Sequence, residues 1–256
     1  MNDNIENGNV GSEKIYILHL YHDLMNLYGD WANMAALMHE VNMRGFSAEV
    51  HKKSIGDDID FDSYGFIYIG SGTERSQLAC MKDLDRHKDV LIERIDAGVC
   101  VLATGNSHEL FGQAVIDSAG SRHDMIGLLD FRTMQLNTRV TGDCVCTASF
   151  LDEKLAGFIN RAGGNQKGEL NRPFYVEPGE GAGFKAGEEG IKYKNLLGTY
   201  LTGPVLMRNP PLLNYFVDIL VSTAGVAGTA GSAGSRGADK FDEFQKKAYD
   251  NALKNL

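Results

Sequence analysis

The residue types that could do chemistry gather in VCVLATGNSHELFG, Val99 to Gly112, which reads as an apolar strand, a tight glycine-containing turn and then a helix. Such an elbow exposes one side chain at a helix N-terminus, where unpaired N–H groups and the dipole lower a thiol's pKa and cradle a developing oxyanion. A cysteine or serine at the apex would be a nucleophile. Here the apex holds Thr104, Gly105, Asn106 and Ser107, followed by His108 and Glu109. Adjacent residues on a helix point apart, so Ser107 and His108 do not form a natural activated pair. Glu109 suits a first helical turn through the dipole alone and needs no catalytic role. Strand, turn and helix are also what an ordinary βα connection looks like.

Other reactive types are sparse. The seven histidines are His19, His22, His39, His51, His87, His108 and His123, and none follows residue 123. The four cysteines, Cys80, Cys100, Cys144 and Cys146, sit in apolar contexts without zinc-ribbon spacing. Cys144 and Cys146 would share a face of a strand, and all four read as small buried thiols of a reducing compartment. No metal site and no cofactor is expected.

These residues need a frame. Lys14–Tyr21 (KIYILHLY) reads as a buried strand of a parallel sheet, and Trp31–Arg44 as a helix with Asp30 as candidate N-cap and Gly45 as stop. Ala48–His51, Phe66–Gly70 and Val99–Ala103 supply further strands, Leu78–Ala97 a long helix and His108–Ala119 another. Strands alternating with helices predict an α/β fold with a mostly parallel sheet flanked by helices, whose sites lie at the strands' carboxyl ends. Phe131–Thr147 reads as extended segments broken at Thr141-Gly142-Asp143, an antiparallel extension, and Gly157–Gly190 as mostly loop. Lys194–Leu206 reads as a late strand and turn, and Pro211–Val221 as a helix. The expected organisation is a loose N-terminus over 1–13, one domain over 14–221, a Gly/Ala/Ser-rich flexible linker over 222–238 and a C-terminal helix over 239–256, capped by Asp239. Phe241, Phe244, Ala248 and Ala252 share one face of that helix, which must find a partner.

The 256 residues are ordinary globular in composition, with 43% hydrophobic and 23% charged, and the net charge is −9. That balance disfavours nucleic acid as a partner, since phosphate binding needs a basic footprint. Apolar runs are too short for a membrane span and the N-terminus does not read as a signal peptide, so a cytoplasmic protein is expected.

Several segments together resemble the GatD-type class I glutamine amidotransferases of the CobB/CobQ-like, cobyric-acid-synthase-like group. They are YHDLMNLYGDWAN (Tyr21–Asn33), GSGTERSQ (Gly70–Gln77), the elbow, LNTRVTGD (Leu136–Asp143) and YKNLLGTYLTGPVLMRNP (Tyr193–Pro210). The resemblance runs in order from about Lys14 to Val221. It implies a Rossmann-like glutaminase domain that hydrolyses glutamine and passes ammonia to a Mur-ligase-like subunit, MurT, the pair amidating the peptidoglycan precursor lipid II.

The departures from the family carry more information than the matches. The family elbow reads approximately AICGGFQLLG, which places Gly105 where the nucleophilic cysteine belongs. The family's base is the histidine of a YFHGP segment, and TYLTGP places Thr202 there. FENHQG becomes Phe158–Gly163, and GGGQD becomes Gly70–Glu74. The resemblance implies substrate-binding positions at Arg139, Gly72 and Asn106. A guanidinium suits an α-carboxylate through two parallel hydrogen bonds, although Arg139 also reads as a surface arginine on a strand. The polar residues of the opening segment, among them His22, Asp23 and Asn26, could cap the helix or line a partner interface.

Three functions remain open. The favoured one is a non-hydrolytic subunit that keeps the fold and a MurT-like partner. An active amidohydrolase could use a relocated nucleophile, Ser107 or Thr104. A small-ligand module could gather Asn106, Ser107, His108 and Arg139 around glutamine or a related molecule.

Overall fold

The computed structural model describes residues 14–180, 182–227 and 240–256. In chain order the elements are β1 (Lys14–Leu20), α1 (Trp31–Met43), β2 (Ser47–Lys53), β3 (Phe66–Ile69), α2 (Glu74–Leu84), α3 (Lys88–Asp96) and β4 (Cys100–Thr104). They continue with β5 (Ala114–Ile116), β6 (Arg122–Asp124), β7 (Phe131–Ala148), β8 (Leu155–Gly168), β9 (Phe174–Pro178) and β10 (Gly187–Glu189). The last are β11 (Ile191–Tyr193), β12 (Leu196–Thr199), α4 (Val205–Arg208), α5 (Pro210–Ala227) and α6 (Lys240–Lys254).

The first sheet runs β11-β12-β4-β3-β1-β2 and is parallel except for β11. Its strands β1, β3, β4 and β12 are almost wholly buried, as a sheet covered on both faces requires. The order reverses between β1 and β3, so the loops after these strands diverge and open the crevice in which doubly wound sheets carry their sites. The second sheet runs β10-β9-β7-β5-β6, with β8 along β7, and is antiparallel except for the β5–β7 pair. This is the expected antiparallel extension on an α/β body.

Several expectations change. The long helix over Leu78–Ala97 is two, α2 and α3, separated by a 3₁₀ turn at Asp85–His87. There the Asp83 carboxylate accepts from Arg86, the Tyr21 hydroxyl and the Gly56 N–H, so tertiary bonds set the local path. The helix read over His108–Ala119 is a 3₁₀ segment, Gly105–Phe111, followed by β5. The chain turns early because Gly112 packs against Phe131, where a Cβ would lie 2.8 Å from the ring. Phe131–Ala148 is one strand, shifted in register around Gln135 rather than broken at Thr141-Gly142-Asp143.

Gly157–Gly190, read as loop, instead supplies much of β8 and all of β9 and β10. Its glycines mark close approach: a Cβ at Gly157 would lie 2.5 Å from Leu201, and one at Gly164 2.6 Å from Leu136. Helix α5 continues to Ala227, into the stretch read as linker. Residues 1–13, the rest of the linker and the Asp239 cap lie outside the described residues. Asp30 does not cap α1; its carboxylate accepts from the Ser71 N–H instead. Gly45 does close that helix, at φ +87°. The four cysteines are buried and free, with the Cys144 and Cys146 sulfurs 4.0 Å apart on β7. Among the described residues no helix is long and apolar enough to cross a membrane.

Candidate functional site

The elbow stands at the carboxyl end of β4. Gly105 adopts φ +63°, a left-handed conformation that glycine takes without a Cβ penalty. Its N–H donates to the Leu201 carbonyl at 3.2 Å, which brings the residue before Thr202 against the apex. The fold therefore assembles the two family positions, Gly105 and Thr202, at one place. Glycine offers no nucleophilic atom, and a threonine hydroxyl is not a base near neutral pH. The Thr202 N–H and hydroxyl both donate to the Phe158 carbonyl, at 2.9 and 3.2 Å.

The space above Gly105 is occupied. A Cβ built there would lie 2.1 Å from the Ser71 Oγ and 2.8 Å from the Ser71 Cβ, distances real side chains do not tolerate. Ser71 thus sets a hydroxyl where a nucleophile's side chain would stand. That hydroxyl is buried, and its acceptor is the Thr104 carbonyl at 3.4 Å, which cannot take up a proton at neutral pH.

The loop carrying Ser71 is fixed from three sides. Asp30 accepts from its N–H at 2.9 Å, Leu27 N–H donates to its carbonyl at 3.0 Å, and Gly72 N–H donates to the Asn106 Oδ1 at 3.0 Å. Gly70 is pressed so closely that a Cβ would lie 2.4 Å from the Met25 carbonyl. Burial pushes the Asp30 carboxyl up to about 6, against the opposing pull of the Ser71 N–H. Beneath it a polar ladder ties four elements together. Asn33 donates to the Tyr68 hydroxyl at 2.7 Å, Tyr68 meets the Thr104 hydroxyl at 2.8 Å, and the Leu206 N–H donates to Asn33 at 2.7 Å.

The remaining expected positions are equally engaged. The Ser107 hydroxyl lies 2.8 Å from both the Ile69 and Thr104 carbonyls and is fully buried. His108 packs edge-on against the Tyr200 ring, with centroids 4.2 Å apart, and its Nδ1 lies 2.6 Å from the Gly105 carbonyl. Burial drives its pKa down to about 3. Arg139 makes an ion pair with Glu74 at 2.6 Å and donates to the Asn160 side chain and carbonyl at 2.7 and 3.2 Å. It braces β7 and β8 against the start of α2. A cavity of about 930 Å³ beside α2 includes Glu74, Leu78, Lys82 and His123 in its walls, and Gly105, Ser107 and Thr202 do not line it.

Glu109, read as needing only the helix dipole, is instead the centre of a buried network. Its two oxygens accept from Gln77 Nε2 and the Tyr200 hydroxyl, each at 2.7 Å. Gln77 also donates to the Asn106 carbonyl at 2.7 Å. The Arg161 guanidinium lies over the Tyr200 ring at 4.5 Å. Burial pushes Glu109 up to about 7, with the Gln77 and Tyr200 bonds opposing. Beyond it Glu189, raised by burial, accepts from the Thr199 hydroxyl and from the Tyr200 N–H at 3.0 Å. Sequence reasoning missed Ser71, Gln77 and Tyr200. The one available signal was the joint change of the family's GGGQD loop and of the elbow's aromatic-Gln pair, which alter two surfaces that touch.

The mostly parallel sheet with its elbow at the carboxyl end of β4 is the fold of a glutamine amidotransferase-type domain, and the CobB/CobQ-like glutamine amidotransferase domain family matches residues 16–210. The chain belongs to that family. Among curated proteins it is similar to the GatD subunit of lipid II isoglutaminyl synthase (glutamine-hydrolyzing) from Staphylococcus aureus, with 32% identity over 83% of this chain and 87% of the relative. The GatD subunit of Streptococcus pneumoniae is likewise 32% identical, over 78% of this chain and 77% of its own. A solved glutamine amidotransferase superposes with a TM-score of 0.54 at 13% identity, covering 80% of this chain and 98% of its own, a likeness of fold.

Proposed function

We propose that this chain is a non-hydrolytic GatD-type subunit, bound to a MurT-like Mur ligase that amidates the peptidoglycan precursor lipid II. The observation that carries this reading is the apex: Gly105 offers no attacking atom, and Ser71 fills the space one would need. Hydrolysis of a carboxamide through a covalent intermediate needs a nucleophile, a base to take its proton and N–H donors for the oxyanion. Here the base position is Thr202, and the Gly72 and Gly105 N–H groups are given to Asn106 and Leu201. Loss of a nucleophile or of its base each costs on the order of a million-fold in turnover in a well-studied hydrolase, and the losses do not add.

Relocation to Ser107 is disfavoured because its hydroxyl is committed to two main-chain carbonyls. A retained glutamine site is disfavoured too, since Arg139 would have to leave Glu74 to receive a carboxylate. The partner would then draw on free ammonia, with this subunit as a docking scaffold.

The test is co-expression with the Mur-ligase-like protein encoded nearest to this gene, followed by size-exclusion chromatography and a glutaminase assay on the same fraction. Co-elution without ammonia release from glutamine is expected, with lipid II amidation supported by ammonium salts. Ammonia release comparable to that of a glutamine-hydrolysing relative overturns the reading, as does failure of the two proteins to co-elute.

A further inference from the structure

The cavity of about 930 Å³ beside α2 stands apart from the elbow, in the angle between that helix and the end of the second sheet. Helix α2 forms one wall with Arg75, Leu78, Ala79 and Lys82, and the turn after β2 adds Ile55. The β5–β6 hairpin and β7 supply the far side with Asp117, His123 and Gln135. A cleft of this size, apolar in its middle with a few polar groups at set places, is what small organic ligands occupy.

The charges in its walls are not balanced. The three carboxylates are engaged by the protein itself. Glu74 pairs with Arg139 at 2.6 Å. Asp117 meets His123 at 2.9 Å and accepts from the Ala119 and Ser121 N–H groups. Asp83 meets Arg86 at 2.6 Å and accepts from the Tyr21 hydroxyl and the Gly56 N–H. Arg75 and Lys82 are exposed, and among the described residues neither meets a carboxylate. Seven positions on α2 are two turns, so these two cations stem from one face of the helix, about 10 Å apart along its axis. Leu78 and Ala79 lie between them. Cations without partners at the edge of a low-dielectric cleft attract anions, here on a chain whose net charge of −9 otherwise repels them.

We propose that this cavity binds an elongated organic dianion, with two anionic groups, carboxylate or phosphate, about 10 Å apart on an apolar body. Arg75 receives one end through the two parallel hydrogen bonds a guanidinium offers, and Lys82 meets the other as a point charge. The body lies on Leu78 and Ala79 and covers Ile55, which is 45% exposed. A compact anion reaches one of the two cations and not both. Gly105 and Thr202 take no part, so the site stands whether or not the elbow hydrolyses anything.

Calorimetric titration of the full chain with succinate, suberate, sebacate and an octane-α,ω-bisphosphonate tests this. Suberate or sebacate should bind saturably and about tenfold more tightly than succinate, with affinity falling as salt is added. Arg75→Gln and Lys82→Gln, both at exposed positions, should each weaken that binding about tenfold. Arg122→Gln, whose guanidinium pairs with Asp124 away from the cavity, should leave it unchanged. Tighter binding of the bisphosphonate than of suberate supports the site with phosphate ends to its ligand, and the reverse order supports it with carboxylate ends. Absence of saturable binding by every long dianion, equal affinity for succinate and suberate, or affinity unmoved by both α2 variants overturns the proposal.

Discussion

The chamber behind the elbow and the seat of α6 are both polar assemblies, but they are built in opposite ways. Around Glu109 the bonds are buried, charge-bearing and long-range, joining α2, the 3₁₀ segment and the stretch after β12. Beneath α6 the Gln245 and Tyr249 bonds are part-buried or exposed and lie beside a cavity of about 540 Å³. Buried polar groups are costly to leave unpaired, so pairing both Glu109 oxygens favours this arrangement, although Gln77 Oε1 and Asn106 Nδ2 in the same network have no partner among the described residues. The difference teaches where this molecule resists change and where it yields. On the proposed reading, the region that in the family carries chemistry serves here as a structural lock, whereas α6 is an appended helix with no buried residue.

The largest expected effect comes from breaking the lock. Glu109→Ala strands Gln77 Nε2 and the Tyr200 hydroxyl in the interior and should cost about 3 kcal/mol of stability by chemical denaturation. Gly105→Cys comes next. The new side chain meets Ser71 in a left-handed backbone, so a loss of about 2 kcal/mol is expected, largely recovered in the Gly105→Cys/Ser71→Gly double variant. Additive behaviour of that pair would show that Ser71 is not what fills the space.

A third test is pH. Glu109 has its folded pKa raised to about 7 and Asp30 to about 6, so the stability they contribute is complete below their unfolded values and is lost as pH rises through those folded values. His108 and His19, lowered by burial to about 3 and about 4, act with the opposite sign: their contribution is present above about 6.5 and is lost as pH falls toward the folded values. The stability of wild type should therefore fall relative to that of Glu109→Gln between pH 4.5 and 8, by roughly 3 kcal/mol. A constant gap would remove Glu109 as the titrating group. The smallest effect belongs to the seat of α6, where Tyr249→Phe removes one exposed bond to the Lys154 carbonyl and should change global stability by about 0.5 kcal/mol or less. A larger loss would erase the contrast between the two regions.

Much of the frame was legible in the sequence because local pattern and burial agree there. The continuous apolar run of β1, the helical spacing of α1 and the glycine stop at Gly45 each have a local cause. The apex at Gly105 was legible for the same reason, as a glycine at a strand-to-turn junction. What could not be read were consequences of contact between distant segments. Nothing near Ser71 says that it faces residue 105, and nothing near Glu109 says that Gln77 and Tyr200 wait for it. The glycines between Gly157 and Gly190 misled because glycine signals a loop locally, whereas here it lets β8 lie against Leu201 and Leu136. Phe244 was expected on a face that must find a partner, and it stands 69% exposed while Phe241 stacks on His39.

The hydroxyl lodged over Gly105 also bears on descent. A glycine and a cysteine can be separated by one base change, yet in this background the thiol would arrive into occupied space, with the Gly72 and Gly105 amides already bonded and the His108 ring held in the core against Tyr200. On the proposed reading, each step toward a hydrolytic site is unfavourable until the others are in place, so the fold works as a ratchet. Selection on such a chain can refine what the surface recognises far more readily than it can assemble a nucleophile at this apex.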